Sequence, residues 1–473
     1  MNQPELLIVG AGPAGLTAAY QAVKHRWQPL VLEASEHVGG ISRTEEWQGF
    51  RFDIGGHRFF TKEEVINELW HEVLGDDFIR VSRLSRIFYR GQFFAYPLAP
   101  LDALRKLGFG EACRIGLSYL GAQARPKGHE RSFEEWVSNR FGDRLYRTFF
   151  KTYTEKVWGM PCSEISADWA AQRIKGMSLT KAVFDAFSTK PQAKSLIREF
   201  EYPRLGPGMM WERFREKVKA GGGEVRMQVP ITRVRHADNV ITSVESADGE
   251  IWQPEHLISS MPLRTLLRQL DPPPPAEVMV AANRLRYRDF LVVALFVDEA
   301  EIFPDNWIYI HEPGVQVGRV QNFKNWSPEM VPNPKVTGLG MEYFCHEGDG
   351  LWESSDEDLI ALATDEAAKI GLAEPTKVFG GRVIRQPKAY PVYDHAYQEN
   401  LAIIERYLSG WQNLQTIGRN GLHRYNNQDH SMLTAIRAVD NLQHRQHDLW
   451  QINTERSYHE TFTVGDSDKR AAG

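Results

Sequence analysis

The chain lacks the features that mark several large classes of protein. Its 473 residues include only three cysteines, Cys113, Cys162 and Cys345, which are far apart and form no CxxC pair. Neither a disulfide framework nor a zinc or iron–sulfur site is therefore indicated. No apolar run approaches the ~18 residues of a membrane span, and no basic segment with a cleavage site precedes the first strand-like run. A reducing, cytoplasmic setting is expected.

An excess of charge of one sign is also missing. Lys and Arg number 56 against 61 Asp and Glu, which gives a net charge of −5, so a broad basic face for nucleic acid is not expected. No second G-x-G-x-x-G is present for a nicotinamide cofactor. His444 and His447 lie in a polar segment without an evident carboxylate partner, so we predict no metal site.

What the chain does contain is a glycine-rich turn near its start. An apolar run at residues 6–9 leads into Gly10, Gly12 and Gly15 in G-x-G-x-x-G spacing, and a second strand-like run ends at Glu33. The glycines allow a tight turn, a close approach to pyrophosphate and helix packing, while the helix N-terminus attracts the anion. Glu33 is placed to bind ribose hydroxyls. The pattern predicts a βαβ unit that binds a dinucleotide.

The residues just beyond Glu33 indicate which dinucleotide. Gly39, Gly40 and Arg43 have no use in an NAD dehydrogenase, whereas a flavoprotein uses such residues to hold the rest of FAD. The two motifs resemble the glutathione-reductase-type FAD-binding fold, in the branch that contains amine oxidases and protoporphyrinogen oxidase. The resemblance implies bound FAD, with Val229 contacting adenine through its backbone. Covalent attachment through a C-terminal cysteine is excluded because none follows Cys345.

Two further glycine-containing stretches extend this interpretation. In "DIGGH" the glycines, which include Gly56, allow the backbone to approach a ligand closely, and they present His57 to something flat or bulky. Near the C-terminus, Gly418 and Arg419 precede an apolar helix pattern. Such a loop-to-helix junction can direct backbone N–H groups at the flavin or the pyrophosphate, and Arg419 would pair with phosphate.

Four stretches together resemble the UDP-galactopyranose mutase family, particularly its longer eukaryotic-type members. They are "DIGGH" (53–57), "EKVWGMPCSEISADWAAQRI" (155–174), "RVQNFKNWSP" (319–328) and "GRNGLHRYNNQDHSM" (418–432). The resemblance implies that His57 lies against the reactive edge of the flavin. It also implies that Arg173 and Arg319 clamp a substrate diphosphate. Asn325, Tyr425 and Asp429 are implied as further substrate contacts.

The same resemblance implies a pyranose/furanose mutase acting on a nucleotide-diphosphate sugar such as UDP-galactopyranose. In that chemistry N5 of the reduced flavin attacks the anomeric carbon and the diphosphate leaves. Two arginines holding the leaving group suit this reaction, and His57 could assist proton transfer between sugar hydroxyls. The source of the reducing electrons, the sugar, the base and the oligomeric state are not specified by the sequence.

The motifs also predict the organisation of the chain, which exceeds the about 250–300 residues at which single cores stop growing. We expect an α/β protein with a discontinuous Rossmann FAD-binding domain of the glutathione-reductase type. The predicted parts are residues 1–75, 200–265 and 385–455 for this domain, 97–200 for a helical substrate lobe, 266–384 for an antiparallel sheet lobe, and 456–473 for a polar tail.

Two other classes of function remain open. One is an FAD-dependent oxidoreductase of the amine oxidase or protoporphyrinogen oxidase kind, or other flavin chemistry on a sugar nucleotide, because fold does not decide function. The other is a binding protein of the GDI type, which shares the architecture without using FAD. The intact Gly10, Gly12, Gly15 and Glu33 argue against the second.

Overall fold

A computed structural model of the chain describes residues 3–96, 98, 100–125, 128, 130–167, 169 and 199–453. Its strands are β1 (Leu6–Val9), β2 (Pro29–Leu32), β3 (Thr44–Trp47), β4 (Phe50–Asp53), β5 (Phe78–Ser82), β6 (Ser85–Tyr89), β7 (Gln92–Ala95), β8 (Glu199–Pro203), β9 (Glu224–Arg226), β10 (Ile231–Ala237), β11 (Val240–Ser246), β12 (Ile251–Trp252), β13 (His256–Ser259), β14 (Leu270–Asp271), β15 (Tyr287–Val297), β16 (Trp307–Ile310), β17 (Arg319–Asn322), β18 (Thr337–Cys345), β19 (Val378–Pro391) and β20 (Leu414–Thr416).

The helices alternate with these strands in the first and last parts of the chain and cluster in between. They are α1 (Pro13–Lys24), α2 (Glu64–Leu74), α3 (Pro100–Leu107), α4 (Phe109–Ala124), α5 (Phe133–Phe141), α6 (Asp143–Leu145), α7 (Thr152–Trp158), α8 (Pro207–Ala220), α9 (Leu263–Gln269), α10 (Ala276–Arg284), α11 (Gly350–Glu353), α12 (Asp356–Lys369), α13 (Tyr397–Leu408), α14 (Gly418–Gly421) and α15 (Gln428–Leu442). A π-helical turn, Tyr146–Lys151, joins α6 to α7.

A parallel sheet with the strand order β20-β13-β1-β2-β9 is assembled from three separated parts of the chain. β1 occupies its centre, between β13 and β2. Successive side chains of a strand point to opposite faces. Leu6 and Ile8 accordingly enter the core that includes parts of α1 and α15, while Leu7 and Val9 enter the core on the other face. Both faces are covered, which explains why β1 is apolar at every position.

A second, mostly antiparallel sheet has the order β19-β15-β18-β17-β16-β6-β7. β15 lies between β18 and β19 and is buried along its whole length. At the far edge, β16 pairs in parallel with β6. The strands β6 and β7 come from residues 85–95, a stretch that the sequence pattern had assigned to no lobe. The antiparallel sheet therefore recruits chain from both sides of the helical region.

The helices α3 to α7 form the described part of a helical lobe. α5 begins with a capping box: Glu135 N–H donates to Ser132 Oγ (3.2 Å) and Ser132 N–H donates to Glu135 Oε2 (3.1 Å). Such a box pairs two backbone donors that a helix start leaves unsatisfied. The helix ends at Gly142, whose φ of 80° suits glycine. The aromatic cluster beneath includes Phe133, Phe141 and Phe149.

The described residues contain mixed parallel and antiparallel sheets, as expected of an α/β protein, and no described helix is long and apolar enough to span a membrane. Two predicted features lie outside these residues: Arg173 and the polar tail at 456–473.

Candidate cofactor and substrate cavity

One large cavity, of about 2270 Å³, runs from the glycine-rich turn after β1 to the helical lobe and the antiparallel sheet. Sites for a single small ligand usually measure about 300–1,000 Å³. The cavity therefore has room for a dinucleotide together with a second molecule.

The turn after β1 brings backbone rather than side chains to the cavity. Gly10 has a φ of 100°, a conformation that side-chain-bearing residues rarely adopt. At Gly15 an added Cβ would lie 1.8 Å from the carbonyl oxygen of Gly10, so this position serves the close fit of α1 against the turn. Gly12 faces Gly40, where an added Cβ would lie 3.4 Å from the Cα of Gly12. Gly10, Gly12 and Gly40 line the cavity, whereas Gly15 and Gly39 lie behind it.

Glu33 closes the same end of the cavity. Its carboxylate accepts hydrogen bonds from the N–H of Ala11 (2.6 Å) and the N–H of Ser35 (2.9 Å), which hold it at the end of β2. The N–H of Val229 donates to the backbone carbonyl of Glu33 (2.8 Å). The structure therefore brings Val229 next to Glu33, where the two line the cavity together.

Arg43 lines the cavity from the segment that follows Gly40. Its Nε forms an ion pair with Glu45 (2.6 Å), and its Nη1 donates to the Gly40 carbonyl (3.0 Å) and to Gln386 Oε1 (2.8 Å). The guanidinium is thus fixed in orientation by protein contacts. It links the glycine turn to β19 on the opposite wall.

The C-terminal junction packs against the N-terminal one. Gly418 has a φ of 81°, and an added Cβ there would lie 2.9 Å from the Cβ of Ala14 in α1. Its N–H donates to Thr434 Oγ1 (2.9 Å). Arg419 lines the cavity, but its Nε and Nη1 donate to the carbonyls of Asn426 (2.8 Å) and Ala389 (3.0 Å). Part of its hydrogen-bonding capacity is therefore used by the fold.

These residues fit FAD. Glu33 and Val229 form one end of the cavity, which suits the adenosine. The glycines at 10, 12 and 40 leave a path along which a pyrophosphate could contact the backbone. Gly418 and His57 line the same cavity. Gly12 and Gly40 approach each other without side chains, and this approach favours a bound pyrophosphate. A side chain at either position would narrow the space between them.

His57 reaches the cavity from the tight loop after β4. Gly55 has a φ of 92°, and a Cβ added to Gly56 would lie 2.9 Å from Gln321 Nε2, so both glycines are required for the loop to fit. Burial, together with the positive charges of Arg419 and Arg319, lowers the pKa of His57 from 6.5 to about 3. The imidazole is therefore neutral at physiological pH.

Arg319 begins β17 and lies beside His57. Its Nε donates to Glu342 of β18, a fully buried carboxylate that also accepts from Gln321 Nε2 at 2.7 Å. Because side chains alternate along a strand, Arg319 and Gln321 face the same side and share Glu342. The ion pair holds the guanidinium at the cavity wall, where Arg319 is among the lining residues.

Two stacked tyrosine rings lie next to Arg419. Tyr390 and Tyr425 stack at 5.5 Å between ring centroids with 18° between planes, and the Arg419 guanidinium lies 4.9 Å from the Tyr425 ring. The positive charges of both Arg319 and Arg419 act on the Tyr390 hydroxyl, although burial raises its pKa to about 12. The hydroxyl therefore stays protonated and can donate a hydrogen bond.

Asp429 lies in the first turn of α15 and lines the cavity. Burial acts to raise its pKa, but the neighbouring His430 and a hydrogen bond with Thr61 together hold the pKa of Asp429 below its usual value. The His430 Nδ1 is 3.1 Å from the Asp429 carboxylate. A helix N-terminus also favours a negative charge, so this carboxylate is ionised.

Asn325 is not among the cavity-lining residues, although it follows Arg319 closely in sequence. Its Nδ2 donates to the carbonyls of Phe303 (2.8 Å) and Asp305 (2.9 Å). The chain turns after β17, and this turn directs Asn325 into a loop contact instead of the cavity.

The sequence reasoning missed an aromatic wall around Arg319. Tyr153 of α7 stacks on His311 at 4.6 Å with 8° between planes and meets Tyr309 edge-on at 5.7 Å. Burial, with the charge of Lys156, lowers the pKa of His311 to about 3. These residues come from a helix and a strand more than 150 positions apart, so no local pattern could have brought them together.

Charge is distributed unevenly around the cavity. Among the described lining residues, ten are Arg or Lys and five are Asp or Glu, whereas the whole chain has a net charge of −5. The cations are Arg43, Arg58, Lys62, Arg83, Arg319, Arg382, Arg385, Lys388, Arg419 and Arg437. A positive cavity inside a negative protein attracts anions.

Several known proteins are similar to this chain. A family model described as Flavin containing amine oxidoreductase matches residues 13–401. Protoporphyrinogen oxidase 1, chloroplastic, of Arabidopsis thaliana is 26% identical over 213 residues, which are 42% of this chain and 40% of that protein. The Probable UDP-galactopyranose mutase of Klebsiella pneumoniae is 29% identical over 177 residues, 35% of this chain and 44% of that protein. Each match therefore spans less than half of the relative.

Among solved structures, reduced UDP-galactopyranose mutase aligns with a TM-score of 0.84, covering 95% of this chain and 98% of that chain at 21% identity. At this identity the likeness shows a shared fold. The resemblance to UDP-galactopyranose mutases drawn from the sequence motifs is thereby confirmed for the architecture.

Proposed function

Because the chain belongs to the Flavin containing amine oxidoreductase family and FAD is its cofactor, we propose that it is a flavin-dependent mutase. Its substrate would be a sugar carried on a nucleotide diphosphate, such as UDP-galactopyranose, whose pyranose and furanose forms it would interconvert. The observation that carries the proposal is the position of Arg319 and Arg419, whose positive charges both act on His57 and on Tyr390.

Two guanidinium groups around one small region favour an anionic substrate. A diphosphate placed between them would receive charge-assisted hydrogen bonds, which are roughly twice as strong as neutral ones. The hydroxyls of Tyr390 and Tyr153 line the same region and can donate to the bridging and terminal oxygens. A protonated amine in this place would meet like charge. The proposed role of Arg319 and Arg419 is therefore to hold a diphosphate leaving group.

The cofactor would be held by Glu33, by the backbone at Gly10 and Gly12, and by the junction at Gly418. When bound and reduced, FAD supplies an electron-rich centre that can bond to an anomeric carbon. The remaining tasks fall to the protein. These are orientation of the sugar, exclusion of water and transfer of protons between its hydroxyls.

His57 suits the proton-transfer task because it is neutral. A neutral imidazole has one nitrogen that accepts and one that donates, so it can move a proton between two sugar oxygens without a net change of charge. Asp429, which is ionised and lines the cavity, could accept a hydrogen bond from a sugar hydroxyl. Arg173 stays a predicted further contact to the diphosphate.

The test compares redox states of the same preparation. Purified holoprotein is incubated with UDP-galactopyranose, once oxidised and once after dithionite reduction, and the furanose isomer is separated chromatographically. We expect the furanose only in the reduced sample, because the overall isomerisation needs an electron-rich flavin but no net electron transfer. Absence of furanose from a fully reduced, FAD-loaded sample would reject the mutase assignment for this substrate.

A net oxidoreductase is the second candidate, and the family model together with the protoporphyrinogen oxidase relative favours it. Here a substrate would reduce the flavin and an acceptor would reoxidise it. Anaerobic mixing of oxidised holoprotein with protoporphyrinogen or with a primary amine distinguishes the two. Rapid bleaching of the flavin without dithionite would support the oxidoreductase, and an unchanged spectrum would count against it.

A further inference from the structure

The part of the cavity inside the helical lobe differs in character from the rest. We call it the apolar branch, and its described lining residues between 96 and 169 are Tyr96, Leu98, Ala103, Leu107, Ala112, Ile115, Gly116, Phe133, Phe141, Leu145, Phe149, Phe150, Tyr153, Thr154, Val157, Trp158 and Trp169. They are contributed by α3 to α7 and the π-helical turn and, outside these elements, by Tyr96, Leu98 and Trp169. Several are core residues of the lobe, such as Phe133, which is 1% exposed.

None of these described lining residues is charged. Every one of the ten cations and five anions that line the cavity lies outside the range 96–169. The side-chain polar groups of the branch within the described part are the hydroxyls of Tyr96, Tyr153 and Thr154 and the indole N–H groups of Trp158 and Trp169. A nucleoside carries a base edge and ribose hydroxyls that need partners when buried. Aliphatic and phenyl walls suit a hydrocarbon better.

The branch opens directly onto the arginine region. Tyr153 belongs to the branch and is acted on by the charge of Arg319. Trp158, the last residue of α7, lies 6.5 Å from Tyr425 between ring centroids, and Tyr425 in turn contacts Arg419. A molecule with its diphosphate at the two arginines would therefore direct its far end into the apolar branch.

We propose that the apolar branch binds a hydrocarbon chain, and that the sugar substrate is carried on an isoprenoid diphosphate. Isoprenoids are hydrocarbons that are joined to sugars through a diphosphate, so one molecule satisfies both halves of the cavity. This inference rests on the proposed function for the diphosphate and the sugar. It differs in the leaving group, whose diphosphate would carry an isoprenoid chain instead of a nucleoside.

Two glycines of α4 provide a matched pair for the test. Gly116 lines the branch, and no atom lies within 4 Å of a Cβ added there, so a larger side chain would begin in open space. Gly121 is exposed on the same helix, also has no atom within 4 Å, and does not line the cavity. Gly116→Phe should fill the branch. Gly121→Phe should change helix propensity by the same amount while leaving the branch open.

The measurement is calorimetric titration of FAD-loaded protein with farnesyl diphosphate, UDP and inorganic diphosphate. We expect farnesyl diphosphate to bind at least about tenfold more tightly than the other two, because burial of its chain adds to the shared diphosphate contact. Gly116→Phe should weaken farnesyl diphosphate by about tenfold or more and leave inorganic diphosphate unchanged. Gly121→Phe should leave both unchanged.

UDP binding as tightly as farnesyl diphosphate would overturn the inference, and so would a Gly116→Phe variant with undiminished farnesyl diphosphate affinity. Failure of the proposed function has a different signature. In that case inorganic diphosphate does not bind to the FAD-loaded protein. A preference for UDP with retained diphosphate binding rejects only the hydrocarbon site.

Discussion

Removing the charge of Arg319 should affect stability and diphosphate binding separately, and a second substitution can tell the two effects apart. Glu342 is fully buried and pairs with Arg319. In Arg319→Gln the carboxylate loses its counter-charge while Gln321 alone still donates to it at 2.7 Å. Breaking a buried pair from one side costs about 3–5 kcal/mol, because an uncompensated charge stays buried. We expect the single variant to unfold at a clearly lower urea concentration than wild type.

The double variant Arg319→Gln/Glu342→Gln removes both charges and leaves two amides of similar volume. Replacing both partners of a buried pair is often close to neutral, so most of the lost stability should return. Diphosphate affinity should not return, because the guanidinium is still missing. A hydrogen bond to a charged group contributes about 1.5–3 kcal/mol, which corresponds to a loss of about 10–150-fold in affinity.

The assay is urea unfolding followed by tryptophan fluorescence, together with calorimetric titration of inorganic diphosphate into FAD-loaded protein. A double variant that is as stable as wild type and binds diphosphate equally well would refute the role of Arg319 in binding. A single variant as stable as wild type would refute the inference that Glu342 needs this partner.

Three further predictions follow from local geometry. Gly15→Ala should lose FAD during gel filtration, because its Cβ would lie 1.8 Å from the Gly10 carbonyl oxygen. The measured quantity is the flavin-to-protein absorbance ratio. Gly121→Ala, whose Cβ would lie in open space, should keep the ratio of wild type. Burial raises the pKa of Asp53 to about 7, above the ~3.9 of an unfolded chain, so the folded state holds the proton and stability falls as pH rises from about 4 to 7. Between pH 5 and 8 wild type should lose about 2–3 kcal/mol of unfolding free energy relative to Asp53→Asn, and parallel curves for the two proteins would contradict this. The His57 ring should show no titration by NMR between pH 5 and 8 in the ligand-free holoprotein, since its pKa is lowered to about 3; a midpoint near 6.5 would show that the ring is not buried as described.

The cofactor end of the cavity was predictable because its determinants are close together in sequence. The glycines at 10, 12 and 15 and Glu33 lie within one βαβ unit, so a local pattern is enough to specify their geometry. The junction at Gly418 was also found, because it repeats the same local pattern of strand, glycine and helix. Its place against Ala14 of α1, however, depends on parallel pairing of β13 with β20, which the local pattern does not contain.

The substrate side was less predictable for the opposite reason. Asn325 and Gln321 are both near Arg319 in sequence. Gln321 faces the same side of β17 as Arg319. Asn325 follows a turn, and its side chain donates to the Phe303 carbonyl. Tyr153 and Tyr390 approach Arg319 only through the pairing of distant strands and the docking of α7. Strand alternation could have predicted that Gln321 faces the same side as Arg319 and shares Glu342 with it, whereas nothing in the sequence indicated the two tyrosines.

The two candidate reactions of the cavity would change the pKa of His57 in opposite directions. Arg319 and Arg419 help to keep His57 neutral, since each positive charge disfavours a second one nearby. An anionic diphosphate between the arginines would offset their charge and raise the pKa of His57 towards its ordinary value of 6.5. A protonated amine would lower it further. By linkage, an anionic substrate therefore binds more tightly when His57 gains a proton, and a cationic one binds less tightly. On the proposed function, a bound diphosphate would therefore favour the protonated form of His57, whereas a bound amine would disfavour it.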